Sequence, residues 1–216
     1  MKLCSMLLMA AMCVLSVDVH AQCANTNILA EILSDVASTN QSLRLAATNK
    51  IDSVLSACSN ADERATFMLL KAKLLLECVD VTDGPAVYSA GAYRESTNIC
   101  LSVLNSFRND PDNWRPYGAA ALAVKALSID SQHQLAFNIS TNALSMVALQ
   151  TNYNVDTNVW VSMFGQELLD RTSMTYAFKS VAAISLSLWD SSADIFSYTN
   201  DLPDSAVQTI NRICGK

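Results

Sequence analysis

Apolar residues recur at three- and four-residue steps along most of the chain, the spacing that puts one stripe on an α-helix. Ile28, Leu29, Ile32, Leu33 and Val36 form the first such stripe, with Asn25 or Thr26 placed to cap it. A second helix is predicted from about Asn40 to Cys58, with Leu43, Ala47, Ile51, Val54 and Leu55 on one face. Asn60 and Glu63 read as a capping-box start for a third, strongly apolar helix through Phe67, Leu70, Leu74, Leu75 and Cys78. Asp83-Gly84-Pro85 marks a break between Val79 and Ala90, because a glycine free to take positive φ is followed by a residue of fixed φ.

Helical periodicity resumes from about Gly91 to Phe107 and ends at Asn109-Asp110-Pro111-Asp112-Asn113. A fifth helix runs to about Ile129, carrying Tyr117, Ala121, Val124 and Leu127, with Pro116 in its first turn, where the missing N–H does no harm. Ser131 is expected to cap a sixth helix ending near Leu149. Asp156 or Thr157 caps a seventh, with Trp160, Phe164 and Leu168 inward. An eighth covers about Thr172 to Trp189, and Asp201-Leu202-Pro203 opens a short last helix to Ile213, with Gly215 beyond it. Alternating β-branched runs are nearly missing, and only 5 glycines and 4 prolines punctuate the chain. The expectation is an all-α fold of antiparallel helical hairpins, packed as a short α-solenoid or as a compact helical bundle.

One stretch bears on that choice. Gly91-Ala92-Tyr93, then Ser96, Cys100 and Val103, then Pro111, resembles the second helix of a tetratricopeptide repeat, where small residues sit at close helix contacts and a proline stops the chain. Trp114, Tyr117, Gly118 and Ala121 resemble the opening of the next repeat. The resemblance is best over residues 91–121. It implies a helical-repeat fold and a protein-binding role. The chain departs from that pattern in the long insert before Gly91 and in the lack of clean small residues in the sixth helix.

The N-terminus is a separate segment. Lys2 precedes an uncharged run from Leu3 to Val17, and Val19-His20-Ala21 supplies a small residue at a cleavage position. This is the layout of an export signal: the apolar run is about 15 residues, short of the roughly 20 that a spanning helix needs. Residues 1–21 are therefore expected to be removed, leaving residues 22–216 as a single all-helical domain, secreted or periplasmic, with no transmembrane segment. Hydrophobic residues make up 51% of the chain and charged residues 16%, so the surface is built largely from Ser, Thr, Asn and Gln. The net charge of −6, with basic residues scattered singly, argues against a nucleic-acid partner.

Of the 7 cysteines, Cys4 and Cys13 fall in the signal. Export makes Cys23, Cys58, Cys78 and Cys100 disulfide candidates, with Cys214 as the odd residue. If the first two helices form an antiparallel hairpin, Cys23 and Cys58 meet at its open end. Cys78–Cys100 requires the 79–90 segment to fold back.

Candidate chemistry is sparse. His133 is the only histidine after the signal, which removes multi-histidine metal sites and leaves one imidazole for any triad. Glu77 and Glu167 lie beside apolar runs and would matter only as a paired-carboxylate site. Asp80 to Asp83 and Asp110 to Asn113 lack the ligand spacing of a calcium loop. Asn40-Gln41-Ser42 and Asn138-Ile139-Ser140 match the glycosylation pattern, the latter inside a predicted helix. Trp114, Trp160 and Trp189 read as core anchors. No cofactor motif is present. The leading expectation is a non-enzymatic exported module that offers a surface to another protein. A small helical hydrolase or lyase using paired carboxylates is one alternative. A bundle holding a hydrophobic ligand near Met68, Met146, Met163 and Met174 is the other.

Overall fold

A computed structural model of the chain describes residues 26–38, 40–77, 90–164 and 170–215. Among them are helices α1 (Thr26–Ala37), α2 (Gln41–Ala57), α3 (Ala61–Glu77), α4 (Ala90–Ser106), α5 (Arg115–Ile129), α6 (His133–Leu149), α7 (Thr157–Phe164), α8 (Arg171–Trp189), α9 (Phe196–Thr199) and α10 (Asp204–Cys214). No strand occurs among the described residues, and the only extended pairing there is a single bridge between Asn113 and Asn154. The fold is all-α.

Local chemistry explains where the helices start. Asn40 Oδ1 accepts from the Ser42 amide at 2.9 Å and Asn60 Oδ1 from the Glu63 amide at 3.0 Å, each satisfying a first-turn donor that has no helical partner. Asp156 Oδ1 accepts from Asn158 and Val159 amides, both at 3.2 Å, and starts α7. Asp170 does the same for α8, taking the Ser173 amide at 2.8 Å and its hydroxyl at 2.7 Å. Pro116 sits in the first turn of α5. At the far end, Gly215 takes φ +66 and closes α10 in the left-handed conformation that glycine adopts without strain.

Helices pack along the chain order: α1 on α2, α2 on α3, α3 on α4, α4 on α5, α5 on α6, and then α6 on α8. Helix α3 also touches α5 directly, and α7 lies against α1. This is helix-on-helix packing compatible with a helical repeat. The small residues at 91–103 serve close approach. Tyr93, Ser96, Cys100 and Val103 are all buried, and the Ser96 hydroxyl donates to the Ala72 carbonyl of α3 at 3.0 Å. Ala119, Ala120, Ala123 and Ala126 form the matching face of α5, each fully buried. One continuous apolar core runs from Ile32 in α1 to Phe178 in α8, and a smaller cluster of Ala183, Ile195, Leu202 and Ile210 anchors the C-terminal helices.

Four sequence expectations change. Ser131 does not cap the sixth helix. It has φ +56, its amide bonds to Ser128 O at 3.3 Å, and the Gln132 amide bonds to Leu127 O at 2.8 Å. That pair of bonds is a Schellman closure of α5, so Ser131 ends one helix and the next begins at His133. Leu43 lies in the first turn of α2 and is 43% exposed instead of sharing the buried stripe. Trp189 ends α8 and is 48% exposed, against 3% for Trp114 and 0% for Trp160. The four-residue α9 has too short a pattern to be read from periodicity. The expected inward position Leu168 lies outside the described residues, as does the 79–89 part of the predicted break.

Candidate functional site

The Asn113-Trp114-Arg115-Pro116 junction builds a polar cleft. Proline fixes the first turn of α5, and Arg115, as its first residue, points back toward α3. Its Nε donates to Thr66 Oγ1 at 3.0 Å, and Nη1 donates to Asn113 Oδ1 at 3.2 Å. Asp62 Oδ2 lies 3.4 Å from the same Nη1. The guanidinium carbon is 5.1 Å from the centre of the Trp114 ring, within cation–π range. Burial pulls the Arg115 pKa below its ordinary value, while Asp62, Asp156, Asp110 and Glu63 pull it the other way. Arginine stays charged throughout, because no protein environment reaches its deprotonation.

Around this cation opens a cleft of about 570 Å³ with Asp62, Asp110, Asp112 and Asp156 in its walls. Each of these carboxylates already has work in the fold. Asp62 pairs with Arg115. Asp110 Oδ2 accepts from Asn113 Nδ2 at 3.1 Å. Asp156 caps α7. Asp112 accepts three bonds from the loop after α6, which hold its pKa below the usual carboxylate range, the Asn152 amide contributing most. Its backbone carbonyl takes a further bond from the Asn154 amide at 2.9 Å. The Asp110 to Asn113 run is thus a clasp between two loops. Among the described residues no group of His, Cys, Asp and Glu is arranged to hold a metal ion.

Next to the clasp lies a cluster of buried polar groups. Tyr117 Oη donates to the Pro111 carbonyl at 2.6 Å, and its ring meets that of Tyr153 edge-on at 5.8 Å. Burial pushes the Tyr117 hydroxyl up to about 12, with the Gln150 carboxamide opposing it. Gln150 is 7% exposed and sits close to Tyr117 without a hydrogen bond of good geometry, and Tyr153 Oη has no partner. Buried polar atoms of this kind are ordinarily satisfied by internal water.

The residues singled out from sequence lie apart. His133 is at the start of α6, in a shallow pocket with Leu188 and Trp189, far in sequence and in lining from the Arg115 cleft. Glu77 pairs with Lys73 at 2.7 Å, and Lys73 Nζ also donates to the Met163 carbonyl at 2.8 Å, tying α3 to the end of α7. Glu167 and Asp80 to Asp83 lie outside the described residues. Met163 and Met174 are buried in the packed core. Among the disulfide candidates, Cys58 is disulfide-bonded. Cys100 is instead a free, fully buried thiol whose pKa burial pushes up to about 12, which corrects its candidacy: it packs as a small apolar residue of α4. Cys23 and Cys78 lie outside the described residues, and Cys214 is free. Sequon residue Ser140 is buried and donates to the Ala136 carbonyl at 2.8 Å.

Arg115 was visible in sequence only as one of several scattered cations. Its neighbours Trp114 and Pro116 were the available signal, since an arginine between a core aromatic and a helix-starting proline is held at the core boundary. Comparison with protein-family models, with curated proteins and with solved structures gives no match for this chain. No helix among the described residues is long and apolar enough to cross a membrane.

Proposed function

We propose that this chain is an exported, non-enzymatic helical-hairpin protein that binds another protein in the cell envelope or outside the cell. The observation that carries the reading is the arrangement of the hairpins. Stacked helix pairs bury their small residues against one another and leave furrows between successive outer helices, a geometry suited to holding a chain from a partner. The tetratricopeptide-like pattern at residues 91–121 belongs to this proposal, supported by the buried row Tyr93, Ser96, Cys100 and Val103. The warrant is one of fold and surface, not of chemistry.

The carboxylate-enzyme alternative gains nothing from Glu77, which is engaged by Lys73. The cleft carboxylates likewise cap helices and clasp loops. Export enters from the N-terminal segment. Its test is the intact mass of secreted material, expected to begin at Gln22 within a residue or two; soluble cytoplasmic protein retaining Met1 would overturn it. For the binding role, affinity capture from the chain's own envelope fraction is expected to return one partner in near-stoichiometric amount. Recovery of the bare chain alone would overturn that part.

A further inference from the structure

Helices α4 and α6 both pack on α5. Between them runs a furrow of about 490 Å³, floored by Leu104, Leu135 and Met146 and edged by Asn105, Asn138 and Asn142. The apolar floor belongs to the rim of the main core, partly covered and not sealed. We propose that this furrow binds an extended peptide segment of a partner protein, a segment carrying one carboxylate among apolar residues. The proposal rests on the interaction reading above and gives it a location and a ligand class.

Three features select that occupant. The first is unpaired backbone-like chemistry. Asn105, Asn138 and Asn142 are exposed, and their carboxamides make no hydrogen bond among the described residues. Each offers two donors and an acceptor, the complement of a peptide group. A helical ligand has its backbone bonded internally and would leave these groups idle; an extended chain has its own N–H and C=O groups free.

The second is spacing. Asn138 and Asn142 are four residues apart on α6, so their carboxamides are about 6 Å apart along the axis at 1.5 Å per residue. Same-side backbone groups of an extended chain repeat every two residues, about 6.7 Å. The two repeats match closely enough for both asparagines to bond one strand.

The third is charge. Lys50, Lys71, Lys73, Arg115 and Lys179 are each paired with carboxylates. Arg108, at the end of the furrow, is exposed and has neither an ion pair nor a hydrogen bond among the described residues. An unpaired guanidinium beside an apolar floor fits a carboxylate, which it can hold by two parallel bonds. The chain's net charge of −6 disfavours a second copy, and it also disfavours a heavily acidic partner, so one carboxylate suffices.

The test uses a phage-displayed library of random 12-residue peptides panned on the intact purified chain. Enriched peptides are then synthesised and their affinities measured by fluorescence anisotropy on wild type, R108E and the double variant N138A/N142A. All three positions are exposed, so melting curves should overlay. The expected result is micromolar peptides with a single acid among apolar residues, weakened about tenfold or more by R108E and severalfold by N138A/N142A. Peptides that bind all three proteins equally would overturn the furrow assignment while leaving the interaction reading intact. No enrichment over a blank surface would overturn both. A wild-type dimer in sedimentation that the same substitutions dissociate would show a second copy as the occupant and overturn the peptide proposal.

Discussion

Asp112 grips Thr151 with both carboxylate oxygens: Oδ1 accepts the Thr151 amide at 2.7 Å and Oδ2 its hydroxyl at 2.8 Å, across 39 residues of sequence. Oδ1 takes the Asn152 amide as well, at 2.9 Å. An ionised carboxylate is the better acceptor for all three bonds, which is why its pKa falls on folding. A carboxylate whose folded pKa is depressed contributes stability that is present above its unfolded value of 3.8 and is lost as pH falls through the folded value. Asp112→Ala should therefore melt below wild type at neutral pH, and the two curves should converge below pH 3.8. A gap that stays constant down to the lowest pH would show that the carboxylate charge is irrelevant to the clasp.

Ser131 offers a gain. It occupies the left-handed position of the Schellman closure with φ +56, where a Cβ is unfavourable and glycine is not. Ser131→Gly should stabilise the protein by about 1 kcal/mol in urea denaturation. Destabilisation of similar size would mean that the helix ends elsewhere.

Gly118 lies on α5 under α7, and a Cβ built there would stand 3.1 Å from the Phe164 ring. Alanine in a helix interior gains roughly 0.5–1 kcal/mol over glycine when nothing is in the way. Gly118→Ala should thus be more favourable in a Phe164→Ala background than in wild type, by about 1 kcal/mol of coupling. A coupling of zero in that double-mutant cycle would remove the close approach of α5 and α7.

The cysteines make a chemical prediction. Lys50 of α2 bonds Glu31 of α1, and Arg44 bonds the Ser38 carbonyl, fixing the register of the first hairpin. Cys58 is expected to be joined to Cys23, closing a loop of about 35 residues that adds about 3–4 kcal/mol. A non-reducing peptide map should show that link, and an alkylating reagent should label Cys214 but not Cys100 before unfolding. A map joining Cys58 to any other cysteine would contradict the hairpin register.

Fold and site differ in how much of each is legible in the sequence. Helix positions were legible where burial follows a three-and-four stripe, as at Ala136, Ile139, Ala143 and Val147 of α6, and because Asn40, Asn60 and Asp156 carry capping chemistry local to a few residues; α3 and α5 are buried over most of their surface instead. Ser131 misled for a physical reason: a serine before a helical run reads as an N-cap, yet its amide was claimed by the preceding helix. The Asp112 clasp and the Arg115 bonds were not legible, since Thr151 and Thr66 lie 39 and 49 residues away and only packing brings them together. The furrow was illegible for the same reason, being lined by side chains of two helices far apart in sequence.

The proposed role is to hold a partner chain in the furrow between α4 and α6. The most direct measurement places a photo-crosslinking amino acid at Asn142 and, as control, at the exposed Gln208 of α10, in cells that export the protein. A discrete heavier adduct is expected from Asn142, absent from Gln208 and diminished when R108E is added. No adduct at Asn142, or the same adducts from both positions, would contradict it.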